Sequence, residues 1–587
     1  MNRGGFLKLG TMAAFSPLVA KVNAAGRTAK PTDRALLQRL IAANDRRAAS
    51  VLETVGAGNL RFSRMIAYDI AVLAAAYAVP GGSYYHSDKV VASARTLVDF
   101  LQKAQQEDGT VNVGNLESPP DTAFVIEILC PVVFILKKES RKDVQLLLLQ
   151  LQKVIVKAGQ ALVTGGVHTP NHRWVVCSAL SYINALYPDV KYQQRIEDWL
   201  GEGVFLDADG HFAERSGIYS AVIDTALINI ARFTNQPELY EPVRRNLAMY
   251  YYYMEPNGDL VTNDSRRQDQ YQVFAKSAAI FYLQYRYMAV HDKDGRFAAV
   301  TKFIENTAGF EEEVLPLSLF HFLENTVLQE TLPTAAPLPV AYEKLFPTSR
   351  LLRIKRNAVS VTLFGGADLP LLVASGRSNA PDFFSYRKGD AILKYLRLSA
   401  AFFNTGYFYS DSLEQKGNEY ILHRKLEVPY YQPLPKEQRN AAGNYKLTPS
   451  VDGRFWNKMD FPDRPVSNVK ILDTTVRLSA DNGAPALHFD IKGMKDVAVT
   501  IELCFKEGAG LLGVTAAGND NYFPEQGTAE YRSGTDRIRF GPGIAAHRQI
   551  SNLEGEQYST HFGTLRTNGM HVYLTGITPF SHTLQFS

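Results

Sequence analysis

The spacing of apolar residues divides the chain into two parts of different secondary structure. From about residue 33 to about residue 326, apolar residues recur at three- and four-residue intervals in roughly eleven or twelve segments, for example 34–55 and 143–163. This is the pattern of helices that bury one face. From about residue 348 onward, short runs such as 486–493 and 497–505 alternate apolar and polar residues between glycines and asparagines. That pattern predicts antiparallel strands, enough for a sandwich or stacked sheets.

The change between the two parts falls on a proline-rich segment, Glu330–Pro347, of the kind that links domains. The sequence therefore predicts a helical domain over 26–329, a linker over 330–347 and an antiparallel β-sheet domain over 348–587. With 587 residues, 46% of them hydrophobic, the chain is long enough for two domains with separate cores.

Three stretches of the helical part share one plan. Each has an Asp-Gly or Asn-Gly turn, at Gly109, Gly210 and Gly258, followed by a short extended stretch, a polar cluster and a new helix. Because equivalent turns in a ring of helical hairpins lie at the same end, the polar clusters are expected to form one rim. Helices are expected to begin there at good cap residues, namely Ser118 or Asp121, Ser216, and Asn263, Asp264 or Ser265. Capping does not explain three further residues of the clusters, which favour an anion-binding rim: Arg215, Arg266 and Arg267.

The overall charge narrows the partners. The chain has 63 Lys and Arg against 59 Asp and Glu, a formal net charge of +4. This balance does not indicate nucleic acid, and it is compatible with a pocket for an acidic ligand. Three cysteines, Cys130, Cys177 and Cys504, are too few and too widely spaced for a disulfide framework. The sequence does not decide between a monomer and a dimer.

The first residues look like an export signal, predicted over 1–25. Arg3 and Lys8 supply positive charge, an apolar run reaches Ala20, and Val22–Ala24 offers a small-residue cleavage site. Gly4 stands where a twin-arginine signal has its second arginine, so Sec export and a degenerate Tat signal both stay open. The apolar run is too short to span a bilayer, and no later segment is expected to be long and uncharged enough. A periplasmic protein without a membrane span is expected.

The stretch GGVHTPNHRWVV, residues 165–176, carries candidate chemistry. His168 and His172 are four residues apart, which on one continuous helix is a zinc spacing. Pro170 argues against that arrangement, because proline belongs at or before the first helical turn and pushes its predecessor toward an extended conformation. His168 is then a loop residue, and Asn171 and His172 open the next helix. Taken alone, Asn171 and His172 are a helix cap and a hydrogen-bonded histidine.

A second motif, Glu214-Arg215-Ser216-x-x-Tyr219, follows 47 residues after His172 and places a tyrosine in the first turn of another helix. Together with Asn171-His172, the helical-then-β organisation and the β-half phrases SRLLRIKRNAVSVTLFGG and LRLSAAFFNTGYF, it resembles the heparinase II/III-like, alginate and chondroitin lyases. The resemblance covers most of the mature chain in architecture. It implies an N-terminal incomplete (α/α) toroid followed by an antiparallel β-sandwich.

The resemblance also implies β-elimination at a uronic acid. In that reaction the carboxylate is neutralised, a base removes the C5 proton and an acid protonates the departing O4. It implies that Asn171 and His172 hold the carboxylate or assist proton removal, and that Tyr219 is the acid. On a glucuronate, H5 and O4 leave from the same face, so Tyr219 can also be the base. Arg215 is the nearest cation in the sequence able to stabilise a phenolate, its alternative being an ion pair with Glu214.

The chain departs from many relatives in one respect. They supply a further histidine from the β half, whereas the comparable stretch 374–390 offers Arg377, Asn379 and Tyr386, and His423 is expected to be structural. No metal site or cofactor is expected, and a structural divalent cation is not indicated. The tyrosine run 250–253 can form sugar-stacking surfaces or core. The candidate substrate-binding residues are Asn115, Glu117, His168, Arg173, Trp174, Glu214, Arg266 and Arg377.

Within this group the chain looks most like the L-rhamnose-α-1,4-D-glucuronate lyases, which trim arabinogalactan side chains. Two other readings stay open. An inverting glycoside hydrolase on an (α/α) barrel requires two carboxylates with a water between them, and Glu117, Asp121, Glu214 and Asp264 are the candidates. A non-catalytic periplasmic glycan-binding protein suits the export signal and the aromatic residues equally well, but it leaves the Asn-His and Tyr219 motifs unexplained.

Overall fold

The computed structural model describes residues 32–267, 269, 277–366, 382–403, 405, 407–449, 456–480, 484–548 and 568–587. The predicted export signal, Arg377 and Asn379 lie outside these ranges. The first part of the described chain is helical, and its α-helices are α1 Arg34–Gly56, α2 Met65–Ala78, α3 Asp88–Ala104, α4 Pro119–Leu136, α5 Lys142–Thr164, α6 Pro170–Leu186, α7 Val190–Leu200, α8 Gly217–Thr234, α9 Tyr240–Tyr250, α10 Tyr282–Asp292, α11 Gly295–Glu305 and α12 Leu319–Glu324.

The helices form two concentric layers. Helices α2, α4, α6, α8 and α10 pack side by side as the inner layer, and α12 packs against α2 and α4. Each inner helix also packs against an outer partner, α1 and α3 on α2, α5 on α4, α7 on α6, α9 on α8 and α11 on α10. The layers differ in composition as expected, since α2 is apolar apart from Asp69 and mostly buried whereas α7 buries only Tyr192 and Ile196. The predicted helical toroid is confirmed.

The inner helices begin at one end of this ring, and local sequence signals explain why. The Ser118 hydroxyl accepts a hydrogen bond from the backbone N–H of Asp121 at the start of α4. The Ser216 hydroxyl accepts one from the backbone N–H of Tyr219 at the start of α8. The turn before α4 needs its glycine, because Gly109 has φ +95° and a Cβ there would lie 2.2 Å from the carbonyl oxygen of Lys157.

The third expected helix start adjoins residues outside the described ranges, so it stays a prediction. Asn263 and Asp264 lie in a turn, and the Ser265 hydroxyl accepts a hydrogen bond from the backbone N–H of Arg267 at 3.2 Å. Asp264 is a buried acceptor for the Tyr253 hydroxyl at 2.8 Å.

Two helices also correct the expectation about membrane spans. Pro119–Leu136 and Lys142–Thr164 each contain an 18-residue stretch apolar enough to cross a bilayer. The stretch of the first helix is 72% buried and that of the second 44% buried. Helix α4 packs against α2, α5 and α6, so its apolar surface forms core of the toroid.

The second part of the described chain consists of β-strands, as predicted. Their bounds are β1 Ala341–Phe346, β2 Leu351–Arg356, β3 Val359–Phe364, β4 Phe384–Lys388, β5 Ala391–Ala400, β6 Ser412–Lys416, β7 Glu419–Tyr431, β8 Thr448–Pro449, β9 Trp456–Asn457, β10 Val466–Ser479, β11 Ala486–Gly493, β12 Ala498–Phe505, β13 Gly510–Leu512, β14 Val514–Ala516, β15 Asn521–Pro524, β16 Ala529–Ser533, β17 Asp536–Gly541, β18 Met570–Ile577 and β19 Phe580–Phe586. Strand β1 lies in the segment predicted as a linker and pairs antiparallel with β2.

Two large sheets stack face to face. One has the strand order β1-β2-β3-β4-β5-β12-β18-β15-β14 and the other β13-β16-β17-β19-β11-β10-β7-β6. Successive side chains of β12 point to opposite faces of the sheet. Val499, Ile501 and Leu503 belong to the apolar core shared by the two sheets, whereas Glu502 and Cys504 point away from it. The predicted β-sandwich is confirmed.

Buried ion pairs join the nine-stranded sheet to the toroid. Glu255 of the toroid pairs with Arg353 at 2.9 Å and accepts a hydrogen bond from Ser360 at 2.6 Å. Arg387, which lies in the same sheet, donates a hydrogen bond to Asp259 of the toroid at 2.8 Å. Burial alone would raise the pKa of Glu255, but the two guanidinium groups and the hydrogen bonds hold it at about 2. The polar face of the sheet thus lies against the rim that carries the candidate site.

Candidate active site

Helix α6 begins where the motif analysis places it. Pro170 is its first residue, Thr169 before it is extended at φ −139°, and His168 is an exposed loop residue. Proline explains this start, because its ring is tolerated in the first turn and excludes a preceding helical residue. The predicted separation of His168 from the helix of His172 is confirmed. Their rings nevertheless remain neighbours, with centroids 4.8 Å apart.

Glu214 connects the two motifs. Its Oε2 accepts hydrogen bonds from the backbone N–H of Asn171 at 3.2 Å and from the Asn171 side-chain amide at 2.8 Å. Its other oxygen forms an ion pair with Arg267. Both Asn171 and Glu214 are buried. Asn171 therefore directs its amide group to Glu214, and Glu214 in turn holds Arg267 in place.

Arg267 contacts Tyr219. One guanidinium nitrogen donates to the Tyr219 hydroxyl at 3.1 Å, and the guanidinium carbon lies 4.2 Å from the centre of the tyrosine ring. Tyr219 is in the first turn of α8, where the Ser216 cap fixes the direction of the helix. A cation at this position stabilises negative charge that develops on the phenol oxygen during proton transfer.

His172 completes the cluster from α6. Burial lowers its pKa to about 4, assisted by the nearby charges of His168, Arg267 and Arg64. His172 is thus neutral at neutral pH and able to accept a proton. Within the described part of the chain, its buried Nδ1 atom has no hydrogen-bond partner. Arg64 and Arg267 are thus close to both His172 and Tyr219.

Arg64 is the second cation of the site, and no motif in the sequence indicated it. It precedes α2, forms an ion pair with the buried carboxylate of Asp121, and lies 4.5 Å from the centre of the Phe124 ring. Burial lowers its pKa, which the nearby Tyr219 partly offsets. Its side chain keeps 44% of its surface exposed, so Arg64 combines a fixed position with room for an anionic ligand.

Arg215 does not have the expected role. It lies at the left-handed position φ +49°, pairs with Asp207 at 3.5 Å and donates to the carbonyl oxygen of Thr348 at 3.1 Å. The backbone turn at Arg215 directs its side chain toward the β domain, so the cation against the Tyr219 hydroxyl is Arg267. The Arg266-Arg267 pair was visible in the sequence, but local spacing could not show which arginine reaches the tyrosine.

Arg266 supports the same loop. Its guanidinium donates to the carbonyl oxygen of Ala213 at 3.1 Å, and its backbone N–H donates to the carbonyl oxygen of Glu214 at 3.0 Å. These contacts fix the backbone of Glu214, so Arg266 shapes the loop that positions the cluster.

Two candidates near α4 shape a neighbouring loop. Asn115 donates from its backbone and its side-chain amide to Asp121, at 3.1 and 2.9 Å. Glu117 is exposed at φ +46°, with its backbone N–H bonded to Asn112 at 2.6 Å. Asn115 thus acts through Asp121 on Arg64, and Glu117 lies at the edge of the rim.

The expected sugar-stacking residues are mostly core. Trp174, the fifth residue of α6, is 2% exposed and packs against the apolar core of the toroid. Tyr250 and Tyr253 are likewise buried. Arg173 pairs with Glu202 at 2.6 Å. Trp174 is therefore excluded as a stacking surface in this conformation.

The β half contributes differently from expectation. Tyr386 lies in the core between the two sheets, so it does not face the toroid. His423 pairs with Asp473 at 2.8 Å across neighbouring strands, as expected of a structural histidine. Among the described residues, no group of three or more His, Cys, Asp or Glu side chains is placed to hold a metal ion.

Comparison with known proteins shows the fold. Neither a protein-family model nor a curated protein sequence matches the chain. Heparinase III superposes with a TM-score of 0.53 at 13% identity, covering 88% of this chain and 75% of that one. The chondroitin AC lyase of Streptomyces coelicolor A3, solved with chondroitin sulphate, gives 0.53 at 12% identity, covering 94% and 82%. A Paenibacillus xanthan lyase gives 0.54 at 10% identity, covering 93% and 57%. The chain therefore has the toroid-plus-sandwich fold of these polysaccharide lyases.

Proposed function

We propose that the protein is a polysaccharide lyase that cleaves the C4–O4 bond of a uronic acid by β-elimination. The observation that carries the proposal is the Arg267 guanidinium on the Tyr219 hydroxyl, beside a neutral His172 and a second arginine, Arg64. Elimination requires positive charge that neutralises the carboxylate, a group that accepts the C5 proton, and a group that donates a proton to the departing O4. The shared fold with heparinase III and chondroitin AC lyase supports the same conclusion.

In the proposed reaction, Arg64 and Arg267 bind the carboxylate and thereby acidify the C5 proton. Neutral His172 accepts that proton, and the electron pair of the C5–H bond forms the C4=C5 double bond. The C4–O4 bond breaks, and the Tyr219 hydroxyl delivers its proton to the departing O4 oxygen. Proton return from His172 to Tyr219 through solvent restores the starting state. Asn171 and Glu214 act as positioning residues, because their contacts run through Arg267.

Three of the four carboxylates considered for a hydrolase are already engaged, and the fourth, Glu117, is exposed at the edge of the rim. Asp121 is paired with Arg64 and Glu214 with Arg267, and Asp264 is buried against His211 at 3.2 Å and Tyr253. An inverting hydrolase needs one carboxylate free to activate water and another able to donate a proton. The fixed arginine partners of Asp121 and Glu214 oppose both tasks, which favours elimination over hydrolysis.

For the substrate we propose a glucuronate-containing glycan, with rhamnose-capped glucuronate as the first choice, and we propose that the enzyme acts in the periplasm. The test mixes the protein with rhamnose-capped glucuronate glycans, glycosaminoglycans and alginate and follows near-UV absorbance of the unsaturated uronate. Absence of a new absorbance on all of them contradicts the lyase proposal.

Variants assign the roles. We expect Tyr219→Phe to lose at least 10³-fold in kcat, because the phenol has no substitute as the acid. Tyr85→Phe is the matched control, since Tyr85 is exposed away from the cluster, and it should retain full activity. We expect His172→Gln to lose about 10²–10⁴-fold. Nearly full activity of His172→Gln would leave Tyr219 as both acid and base.

A further inference from the structure

Strands β7 and β10 continue beyond their neighbours as a two-stranded ribbon. Strand β11 pairs with β10 only from residue 472 onward, and β6 pairs with β7 only over residues 419–423. Farther out, in the described chain, the two strands pair with each other as far as Tyr431 and Val466. The segment that connects them, 432–465, is described over 432–449 and 456–465. We call this segment the arm.

The arm has an internal fold that sets the direction of its side chains. Its base is closed by Gln432, whose backbone N–H donates to the carbonyl oxygen of Pro465 at 2.7 Å. Within it, β8 and β9 pair antiparallel, with Pro449 opposite Trp456. The arm therefore presents a structured surface to the solvent.

The ribbon and the arm expose a concentration of large apolar side chains. Six are exposed there: Tyr430, Leu447, Trp456, Met459, Val466 and Val469. They make up a third of the large apolar side chains that are exposed in the described part of the chain. Trp456 is 69% exposed, whereas Trp174 is buried and Trp199 is half-buried. Exposed apolar patches of this kind mark binding surfaces.

The face around Trp456 has the chemistry of a site for an acidic sugar. Side chains that lie opposite each other, or two residues apart on one strand, share one face of a strand pair. Pro449 and Lys458 therefore lie on the same face as Trp456, and all three are exposed. A flat indole ring packs against the C–H face of a sugar ring. The Lys458 ammonium, on a residue roughly 7 Å farther along the strand, is placed to bind a carboxylate of the same chain.

Charge favours an acidic glycan over a second copy of this chain as the occupant. The arm has six Lys and Arg against four Asp and Glu. Among the described residues, the Lys458 ammonium bonds to a neutral partner, the side-chain oxygen of Asn444 at 2.8 Å. In a two-fold contact between copies the same surface meets itself, and like charges brought together are unfavourable. A polyanion instead makes favourable contacts with this surface.

We propose that the arm is a second, non-catalytic binding surface for a uronic-acid-containing polysaccharide, with Trp456 against a sugar ring and Lys458 on a carboxylate. The inference rests on the proposed function and adds to it a site outside the catalytic cluster. The arm leaves the eight-stranded sheet, whereas the nine-stranded sheet carries the ion pair with the toroid. A polysaccharide held on the arm has a raised effective concentration at the active site, and only a chain long enough to reach both sites gains from it.

The first experiment compares long and short substrates of the glycan that yields unsaturated product. We expect Trp456→Ala to lower kcat/KM on the polysaccharide roughly tenfold or more, because the gain from two-site binding is lost. Its kcat/KM on a trisaccharide of the same glycan should equal that of the wild type, because so short a chain occupies the active site alone. Tyr85→Ala, which removes an exposed aromatic residue in the turn after α2, is the matched control and should behave like the wild type on both substrates.

The comparison separates the arm from the active site. Equal losses for Trp456→Ala on both substrates would assign Trp456 to the catalytic cluster, and no loss on either would leave the arm without a glycan. Both results overturn the proposal of a second site and leave the lyase proposal intact. Thermal unfolding of each variant verifies the fold.

The second experiment measures binding and requires no turnover. Iodide quenching of tryptophan fluorescence reports on Trp456, the exposed tryptophan. We expect at least one acidic glycan among rhamnose-capped glucuronate glycans, chondroitin sulphate and alginate to protect Trp456 from iodide, and neutral dextran to give no protection. Lys458→Gln should weaken this protection, whereas Lys153→Gln, on the exposed face of α5, should leave it unchanged.

The outcomes of the quenching experiment distinguish the two proposals. Protection of Trp456 without unsaturated product from any glycan contradicts the lyase proposal and leaves the binding surface standing. No protection by any acidic glycan, or equal protection by dextran, overturns the binding surface. Protection that rises with protein concentration in the absence of glycan, with a dimer in sedimentation, would assign the arm to a second copy and also overturn it.

Discussion

The low pKa of His172 makes the candidate site testable without any substrate. Burial is its largest cause, and the next is the charge of His168, whose ring centroid lies 4.8 Å away. His168 is exposed. We predict that His168→Asn raises the pKa of His172, because it removes this positive charge and leaves the burial of His172 unchanged.

The size of the effect follows from Coulomb's law. Two unit charges 4.8 Å apart interact by about 0.9 kcal/mol at the dielectric constant of water and by roughly twice that at half this value. Since about 1.4 kcal/mol corresponds to one pKa unit, the predicted rise is about 0.6 to 1.3 units. The pKa of His172 is then expected to move from about 4 toward about 5.

The assay is an NMR titration of the imidazole signals, with the His172 resonance identified by its loss in His172→Gln. His291→Asn serves as the control, because His291 is in the last turn of α10, at the end of the toroid opposite to the rim. It should leave the titration of His172 unchanged. A wild-type midpoint near 6.5, or a midpoint that His168→Asn does not move, would refute the reasoning.

Three further predictions concern the domain interface, the core and the site. Glu255→Gln should lower the free energy of unfolding by about 3–5 kcal/mol in urea titrations, because it leaves the buried guanidinium groups of Arg353 and Arg387 uncompensated. The control Glu427→Gln, in an exposed pair with Lys425, should cost less than about 1 kcal/mol. Equal losses of stability in the two variants would contradict this. Burial raises the pKa of Asp224 well above 3.8, so its contribution to stability is present at low pH and is lost as pH rises. Asp224→Asn should therefore gain stability relative to the wild type as pH rises above 3.8, and a constant difference would argue against it. Arg267→Gln should reduce kcat by about 10²–10³-fold in the absorbance assay. Arg244→Gln, which removes ion pairs with Asp292 and Glu241 away from the cluster, should remain within about twofold, and similar activities of the two variants would count against the site.

The structure also shows which features of the site depend on local sequence alone. The start of α6 at Pro170 and the cap of α8 at Ser216 follow from residues within three positions of each helix start. The motif residues Asn171, His172 and Tyr219 could therefore be placed at one rim before the fold was seen.

By itself the sequence determined the alternation of helices, the later strands and the turns that bring helix starts to one end, because these depend on short-range periodicity and capping. Only the tertiary structure decided that Arg267 rather than Arg215 meets Tyr219, that Arg64 lies 155 positions earlier in the chain beside the same tyrosine, and that Trp174 is core. Those outcomes depend on which helices pack together and on a backbone turn at positive φ, which no local spacing specifies.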